Sequence, residues 1–308
     1  MRPVFVMLLM ALAVGAPAAR QAIPQATGAN AARDLRGAVD IHVHSNPDRV
    51  PRVLDGLEAA RFAAEKGMRA IVLKNHWDPT AGLAMLARKA APGVDVYGGI
   101  DLNLPVGGMN VHAVEHMVQT NGGWGRVVWM STSDAENAVR SGKSERPFVR
   151  VSQNGALLPE TKAVIAAIAK HRLVLASGHV SAAEALMMFE EGQRLGVRAM
   201  VATHGMGPPT SLTVDQAKRA NALGAFIEFT GDTMQGPNAR ARVERIAADI
   251  RSIGVEHAIV SSDLGKGGAE LPTEGFATLL EALRQKGFTD QELDRIAKQN
   301  PARLLGLP

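Results

Sequence analysis

The sequence predicts a distorted (β/α)8 TIM barrel, on three observations. Eight short β-branched runs alternate with helix-patterned segments, an order that argues for βαβ units and a parallel sheet. Histidines or an aspartate end four of those runs, and strand C-termini are where such a barrel carries its chemistry. The length of 308 residues suits one barrel domain, and eight is the strand number that closes it.

The strands are expected near residues 38–44, 70–76, 95–102, 126–131, 173–179, 199–204, 225–230 and 258–263. Helical patterns fill the intervals: Val53 to Lys66, Thr80 to Ala90, Asn110 to Gln119, Glu160 to Lys170, Ala182 to Leu195, Val214 to Leu223, Ala239 to Ile253 and Thr273 to Lys286. A closing helix is expected over Thr289 to Leu305, with Thr289 and Glu292 spaced as a capping box and Asn300-Pro301 interrupting it. The longest connection, Ser133 to Pro159, contains a hairpin pattern on an Asn154-Gly155 turn. It follows a strand C-terminus, so a lid over the barrel mouth and a hairpin without function are both open.

At the N-terminus, Met1-Arg2 followed by the apolar run Val4 to Val14 and by Ala16-Pro17-Ala18 reads as a secretory signal over residues 1–19. The run is short of the roughly 20 residues that span a bilayer. An exported chain, periplasmic or secreted, is expected, with no membrane attachment after signal removal. Residues 20–33, Ala/Gln/Gly/Pro-rich from Gln21 to Asn30, are expected to form a flexible leader before a barrel domain over 34–308. With no cysteine, disulfides and thiolate metal sites are excluded, leaving His, carboxylate and modified Lys as ligands. The net charge of +4 comes from interspersed charges without a basic run, which excludes a nucleic-acid footprint.

The chemistry starts at His42-Val43-His44. Strand side chains alternate faces, so residues two apart point together, and two imidazoles pointing together can chelate one transition metal. Three later runs end in another ligand-type residue: Leu173 to His179, Ala199 to His204 and Ala258 to Asp263. Any one of these histidines alone reads as a hydrogen-bonded core residue. Four histidines and an aspartate at strand C-termini read together as a metal site.

That pattern resembles the amidohydrolase superfamily of metal-dependent hydrolases, in an uncharacterised branch. The likeness rests on His42-Val43-His44 ending the first strand, His179 and His204 closing the fifth and sixth, Asp263 closing the eighth, and Asn300-Pro-Ala-Arg-Leu-Leu-Gly306 at the C-terminus. It implies that His42, His44 and His179 or Asp263 hold a divalent metal, first of all Zn2+. It also implies that Asp263 takes a proton from metal-bound water, while His204 binds a second metal or polarises the substrate. Elementary chemistry agrees: an open Zn2+ site lowers the pKa of bound water to about 7, and an adjacent carboxylate can carry the proton. The donor set also suits Mn, Fe, Co or Ni.

One departure from the superfamily's binuclear members stands out. Those carry a carboxylated Lys or a Glu at the end of the fourth strand, where this chain reads Arg126 to Thr132 without such a group. One metal site is therefore expected and a second is left open. Lys74 and His76 end the second strand on one face. Lys74 is expected to meet an acidic substrate group or, modified, to act as the bridge, against the plain reading of a solvated rim lysine. Asp101 and Asn103 on the third strand and Glu228 on the seventh are further substrate-contact candidates, with pairing to Lys or Arg inside the barrel the alternative for Asp101 and Glu228.

His112-Ala-Val-Glu115-His116 matches an inverted zinc-protease pattern, but it lies in a crossover helix and carries little weight. His171 and His257 precede strands and are expected to be structural or solvated. The resulting expectation is a metal-dependent hydrolase cleaving an amide, lactone or ester-like bond of a small molecule with metal-activated hydroxide. The alternatives are a metal-dependent phosphoesterase of the polymerase-and-histidinol-phosphatase type and a non-catalytic periplasmic binding protein. No nucleic-acid partner is expected; a homo-oligomer is left open.

Overall fold

Eight parallel strands run side by side in the computed structural model, which describes residues 28–234, 236, 238–267 and 270–308. They are β1 (Val39–His44), β2 (Ala70–Lys74), β3 (Asp95–Asp101), β4 (Gly125–Trp129), β7 (Val174–Ala176), β8 (Ala199–Ala202), β9 (Ala225–Thr230) and β10 (Ala258–Ser261), paired in that order. The ring closes at a seam between β10 and β1. There the Asp263 N–H donates to the His42 carbonyl at 2.9 Å and the His44 N–H to the Leu264 carbonyl at 3.0 Å.

Side-chain alternation builds two cores. Inward positions Val39, Ile41, Ala70, Val72, Tyr97, Val127, Trp129, Val174, Ala176, Val201, Phe226 and Ile259 fill the barrel, while the residues between them pack outward against the helices. Along β2, β3, β9 and β10 the inward face continues to Lys74, Asp101, Glu228 and Asp263, so the lining is apolar below and polar above. Strand β1 departs from strict alternation. A register shift between Asp40 and Val43 lets Ile41 face the lower core while His42 and His44 face the cavity above. The Asp40 carboxylate braces this irregularity, accepting from the N–H groups of His42 at 3.1 Å and Ser262 at 3.0 Å.

The crossover helices follow as the patterning predicts: α2 (Gly56–Glu65), α3 (Ala81–Ala90), α4 (Val111–Gln119), α6 (Pro159–His171), α7 (Ala182–Arg194), α8 (Val214–Ala222), α9 (Ala239–Ile253) and α10 (Pro272–Gln285). Capping boxes start α2 at Asp55/Glu58, α7 at Ser181/Glu184 and α8 at Thr213/Gln216. The long connection holds a short helix, α5 (Glu136–Ser141), and the expected hairpin, β5 (Ser152–Gln153) with β6 (Ala156–Leu157). Asn154 and Gly155 take positive φ at its turn. Ser152 donates to Glu184 at 2.8 Å, which docks the hairpin on the flank of α7. It supplies nothing to the cavity wall, and the lid expectation is set aside.

The chain ends as α11 (Asp290–Asp294), a π turn over Arg295–Gln299, and α12 (Asn300–Leu305). Pro301 has no N–H to give the preceding turn, and the wider π spacing absorbs that loss without breaking the rod. Ala302, Leu304 and Leu305 insert into the lower barrel core, and Asn300 Nδ2 donates to the Val255 and Ala258 carbonyls at 2.8 and 2.7 Å.

One expectation is corrected at the N-terminus. Residues 28–33, assigned to a flexible leader, belong to helix α1 (Gly28–Leu35). It is one short run of Ala, Gly and polar residues with Leu35 its single large apolar side chain; tertiary contacts hold it, with Leu35 in the core and Arg284 Nη2 donating to both Asp34 oxygens at 2.8 Å. The signal-like stretch 1–19 and the leader up to 27 lie outside the described residues. Among the described residues no helix is long and apolar enough to cross a membrane.

Candidate metal centre and active site

Five side chains from four strand ends meet at the top of the barrel. His42 Nε2 and His44 Nε2 each lie 3.1 Å from the same oxygen, Asp263 Oδ1. His179 Nε2 and His204 Nε2 lie 3.1 Å apart beside them, and the His42 and His204 rings stack at 6.3 Å. All five line one cavity of about 550 Å3, together with Lys74 and His76. Sequences separated by more than two hundred positions are thus brought to one point, because each residue ends a strand of the same closed ring.

Local backbone fixes the aim of these groups. His204 and Asp263 both adopt positive φ, 31° and 48°, a strained conformation for residues with a Cβ and one that collects at functional sites. Gly178, at φ 65°, turns the chain so that His179 reaches the cavity; a Cβ there would lie 2.2 Å from the Met130 carbonyl oxygen. Trp129 packs beneath the cluster, with its ring centroid 6.0 Å from that of His42. Gly99 makes room for it, since a Cβ at that position would lie 2.5 Å from the indole.

The surrounding groups set tautomer and charge. Glu228 lies one layer below, where its Oε1 meets His42 Nδ1 at 3.1 Å and its Oε2 accepts the His204 N–H at 2.9 Å; Ser261 Oγ also donates to it. A carboxylate on Nδ1 leaves Nε2 as the atom that faces Asp263. Burial opposes protonation of His42, but Asp263 and Glu228 outweigh it and hold the imidazole up at about 10. The spot between the two carboxylates therefore calls for positive charge, as a proton or a metal ion. His44 is the reverse: burial and then the Lys74 charge push it down to about 3. Burial and then the neighbouring His204 also keep His179 low, and burial lowers His204. Three of the four imidazoles are thereby held neutral, the form that ligates metal.

These residues fit a divalent ion. Donor atoms about 2.0–2.1 Å from a tetrahedral Zn2+ stand about 3.3 Å apart, close to the separations of Asp263 Oδ1 from both imidazole nitrogens. His42 Nε2 and His204 Nδ1 are buried without a hydrogen-bond partner. A second group, His44, Asp48 and His76, also lies within ligand range. There the Asp48 carboxylate already accepts from Arg52 Nε at 2.7 Å and from the His76 N–H at 2.8 Å, so its role is structural.

Lys74 and His76 line the cavity as expected. The Lys74 ammonium pairs with Asp101 Oδ2 at 3.0 Å, which speaks against a carboxylated bridging lysine, since that would set two anions in contact. Burial works against ionising Asp101, but Lys74 and His76 outweigh it and hold the carboxyl at about 2. Three further candidates sit deeper, and Asp101 takes the alternative expected for it, pairing with a lysine inside the barrel. Asp101, Asn103 and Glu228 are buried behind the cavity wall. Asp101 serves Lys74, His76 at 2.9 Å and Thr132 at 2.8 Å. Asn103 Oδ1 accepts from the N–H groups of Thr132 at 2.9 Å and Asp134 at 3.2 Å, while its Nδ2 donates to the His76 carbonyl at 3.1 Å. It ties together the loops after β2, β3 and β4.

The cavity also uses residues that strand reasoning did not reach: Asp232 after β9, Arg242, Arg245 and Asp249 from α9, and Lys266 after β10. Burial and then Asp263 push the Asp232 carboxyl up. The His112/Glu115/His116 motif is on an outer helix; Glu115 pairs with His171 Nε2 at 2.8 Å and Lys170 at 3.0 Å, and both histidines are exposed.

Solved structures share this architecture. An amidohydrolase from Pseudomonas aeruginosa superposes with a TM-score of 0.60 at 12% identity, over 90% of this chain and 97% of that one. A phosphotriesterase homology protein from Escherichia coli, complexed with phosphate in its active site, gives 0.60 at 14% identity over 87% and 98%. A 2,6-dihydroxybenzoate decarboxylase complexed with 2,6-dihydroxybenzoate gives 0.53 at 13% over 88% and 100%. The fold is that of the amidohydrolase and phosphotriesterase-like barrels. No curated protein matches the sequence. A family model matches residues 37–228, more than half of the chain and reaching from the start of β1 to Glu228 beneath the ligand cluster, and the protein belongs to the family of unknown function DUF6282.

Proposed function

We propose that the protein is a metal-dependent hydrolase that cleaves an amide, lactone or ester-like bond of a small molecule. The observation that carries this reading is the convergence of His42 Nε2 and His44 Nε2 on Asp263 Oδ1, at 3.1 Å each, at the mouth of a cavity. His42, His44 and Asp263 would hold a divalent ion, Zn2+ or a related metal, with His179 and His204 beside it for the substrate or a second ion. When bound, such an ion supplies Lewis acidity and makes water acidic enough to be used near neutral pH.

The chain's own groups do the rest. Glu228 orients His42 through Nδ1 and His204 through its N–H. Asp263, whose Oδ1 meets both His42 and His44, accepts the proton of the attacking water at Oδ1 or Oδ2 and returns it to the leaving group. Trp129 and the apolar layer beneath it exclude solvent from below. A carboxylate in that place favours catalysis over ligand storage, because a binding protein has no proton to move. The N-terminal signal pattern supports export, which N-terminal sequencing of the mature chain would check.

The test is metal analysis of the purified protein with hydrolysis of a lactone and anilide panel. About one equivalent of metal, lost in His42→Ala, together with turnover lost in Asp263→Asn, is the expected result. A protein that binds no divalent metal under any reconstitution would refute the reading.

A further inference from the structure

Lys74 is a charge in an expensive place. Its side chain is fully buried at the top of the β2 inward face, it lines the cavity, and of its three N–H donors one is taken up by Asp101 Oδ2. Burial of an ammonium is costly unless it is both paired and hydrogen-bonded. The pairing is partial: Asp101 Oδ2, 3.0 Å away, is shared with His76 and Thr132. The other near neighbour is the Trp129 ring, whose centroid is 5.4 Å from Nζ. Donor capacity is left over and faces the cavity.

Register places that capacity. Lys74 is the strand partner of His44 in the β1–β2 pairing, so the two backbones are about 4.8 Å apart and both side chains face inward. An anionic group held by Lys74 thus shares one cavity with His42, His44 and Asp263. The rim adds to this. Arg242, Arg245 and Lys266 border the opening, with Lys266 paired to Asp232 at 3.5 Å and Arg245 to Asp249 at 3.4 Å, so the rim can offer cationic side chains to an anion.

We propose that the substrate carries a carboxylate, and that Lys74 takes this carboxylate. The proposal rests on the hydrolase reading and narrows it to acidic substrates, with Lys74 as the specificity-determining residue. No bond is made to the lysine. Its Nζ–H donates to a carboxylate oxygen, and Asp101 keeps the ammonium aimed.

The experiment is calorimetric titration of malonate, with malonamide as the neutral control, into wild-type protein and Lys74→Met, each with and without metal and with metal content measured. The expected result is malonate binding at least tenfold weaker in Lys74→Met at unchanged metal content, with malonamide indifferent to the substitution. Equal malonate affinity in the two proteins at equal metal content would overturn the proposal. Should Lys74→Met not fold or not hold metal, 15N-lysine spectra of the wild type decide: a buried ammonium resonance that moves on malonate addition supports the contact, and one that stays put overturns it. If neither protein binds metal, the hydrolase reading fails by itself, and the metal-free titrations still judge Lys74.

Discussion

The two ends of the barrel solve opposite problems. At the lower end, α12 pushes Ala302, Leu304 and Leu305 into a ring of Val39, Ile41, Ala70, Val72 and Ile259, a contact that does nothing but bury apolar surface. At the upper end the same strands present His42, His44, Lys74, Glu228 and Asp263, buried as deeply but at a cost. Nitrogens of His42, His44 and His204 lack hydrogen-bond partners, and His204 and Asp263 hold positive φ. The lower end stabilises the ring; the upper end draws on that stability to keep charged groups where water cannot neutralise them. Substitutions should therefore separate cleanly: below, stability changes without loss of metal or activity, and above, the reverse.

The largest expected effect is at the upper end. Asp263→Asn keeps the shape of the side chain while removing its capacity to carry a proton. Turnover should fall by about 10²–10⁴-fold with the melting temperature little changed. Steady-state kinetics beside a thermal melt would measure both. A variant that melted early and regained activity on cooling would break the division, because Asp263 would then be a structural anchor of the β10–β1 seam.

The counterpart below is Leu304→Ala. Leu304 is almost fully buried in the lower core, and truncating such a leucine costs about 2–5 kcal/mol, which corresponds to several degrees of melting temperature. Metal content and turnover at 25 °C should match the wild type. Loss of metal in this variant would mean that the plug tunes the mouth through the strands.

Glu228 lies between the two regions and sharpens the boundary. It belongs by position to the upper layer, yet it reaches no cavity surface and works through His42 and His204. Glu228→Gln should weaken metal binding by about 10–100-fold, the range for a group that orients a ligand, with a smaller fall in stability. Competition with a chelating dye would read the affinity. Unchanged metal affinity would place Glu228 with the lower core.

The strand ends were legible in the sequence because two signals coincide there: period-two alternation and a switch from apolar to ligand-type residues at the last inward position. Lys74 and Asp263 follow that phase, whereas His179 and His204 were read only as ends of apolar runs and reach the cavity out of phase, through the turn at Gly178 and the positive φ of His204. Glu228 and Asp101 carry the same signal but lie behind the wall, because facing inward does not say whether a residue ends at the cavity or against a neighbour. The β1 register shift, which keeps Ile41 below and both histidines above, leaves no mark in a run that already reads as a strand. Helix α1 and the rim residues Asp232, Arg242, Arg245 and Lys266 were missed for a shared reason. Their places depend on which loop or helix packs against which, and nothing local encodes that.

The smallest effect tests whether one element that spans both regions transmits between them. Helix α9 carries Arg242 and Arg245 at the mouth and, near its other end, Arg251, which pairs with Glu292 of α11. Arg251, and then the Thr289 N–H, hold the Glu292 carboxyl down at about 2 against a usual 4.5. A depressed carboxyl adds stability that is present above pH 4.5 and lost as the pH falls toward 2. The pair is largely at the surface, so its worth is under about 1 kcal/mol. Glu292→Gln should flatten the acid limb of the stability curve slightly between pH 4.5 and 2 and leave stability above pH 5 lower by that small amount. Chemical denaturation across this range would resolve it. Malonate affinity at pH 7 should stay the same. A change there would show that α9 moves as a rigid lever between the bottom contact and the rim, and the two ends would then have to be treated as one cooperative unit.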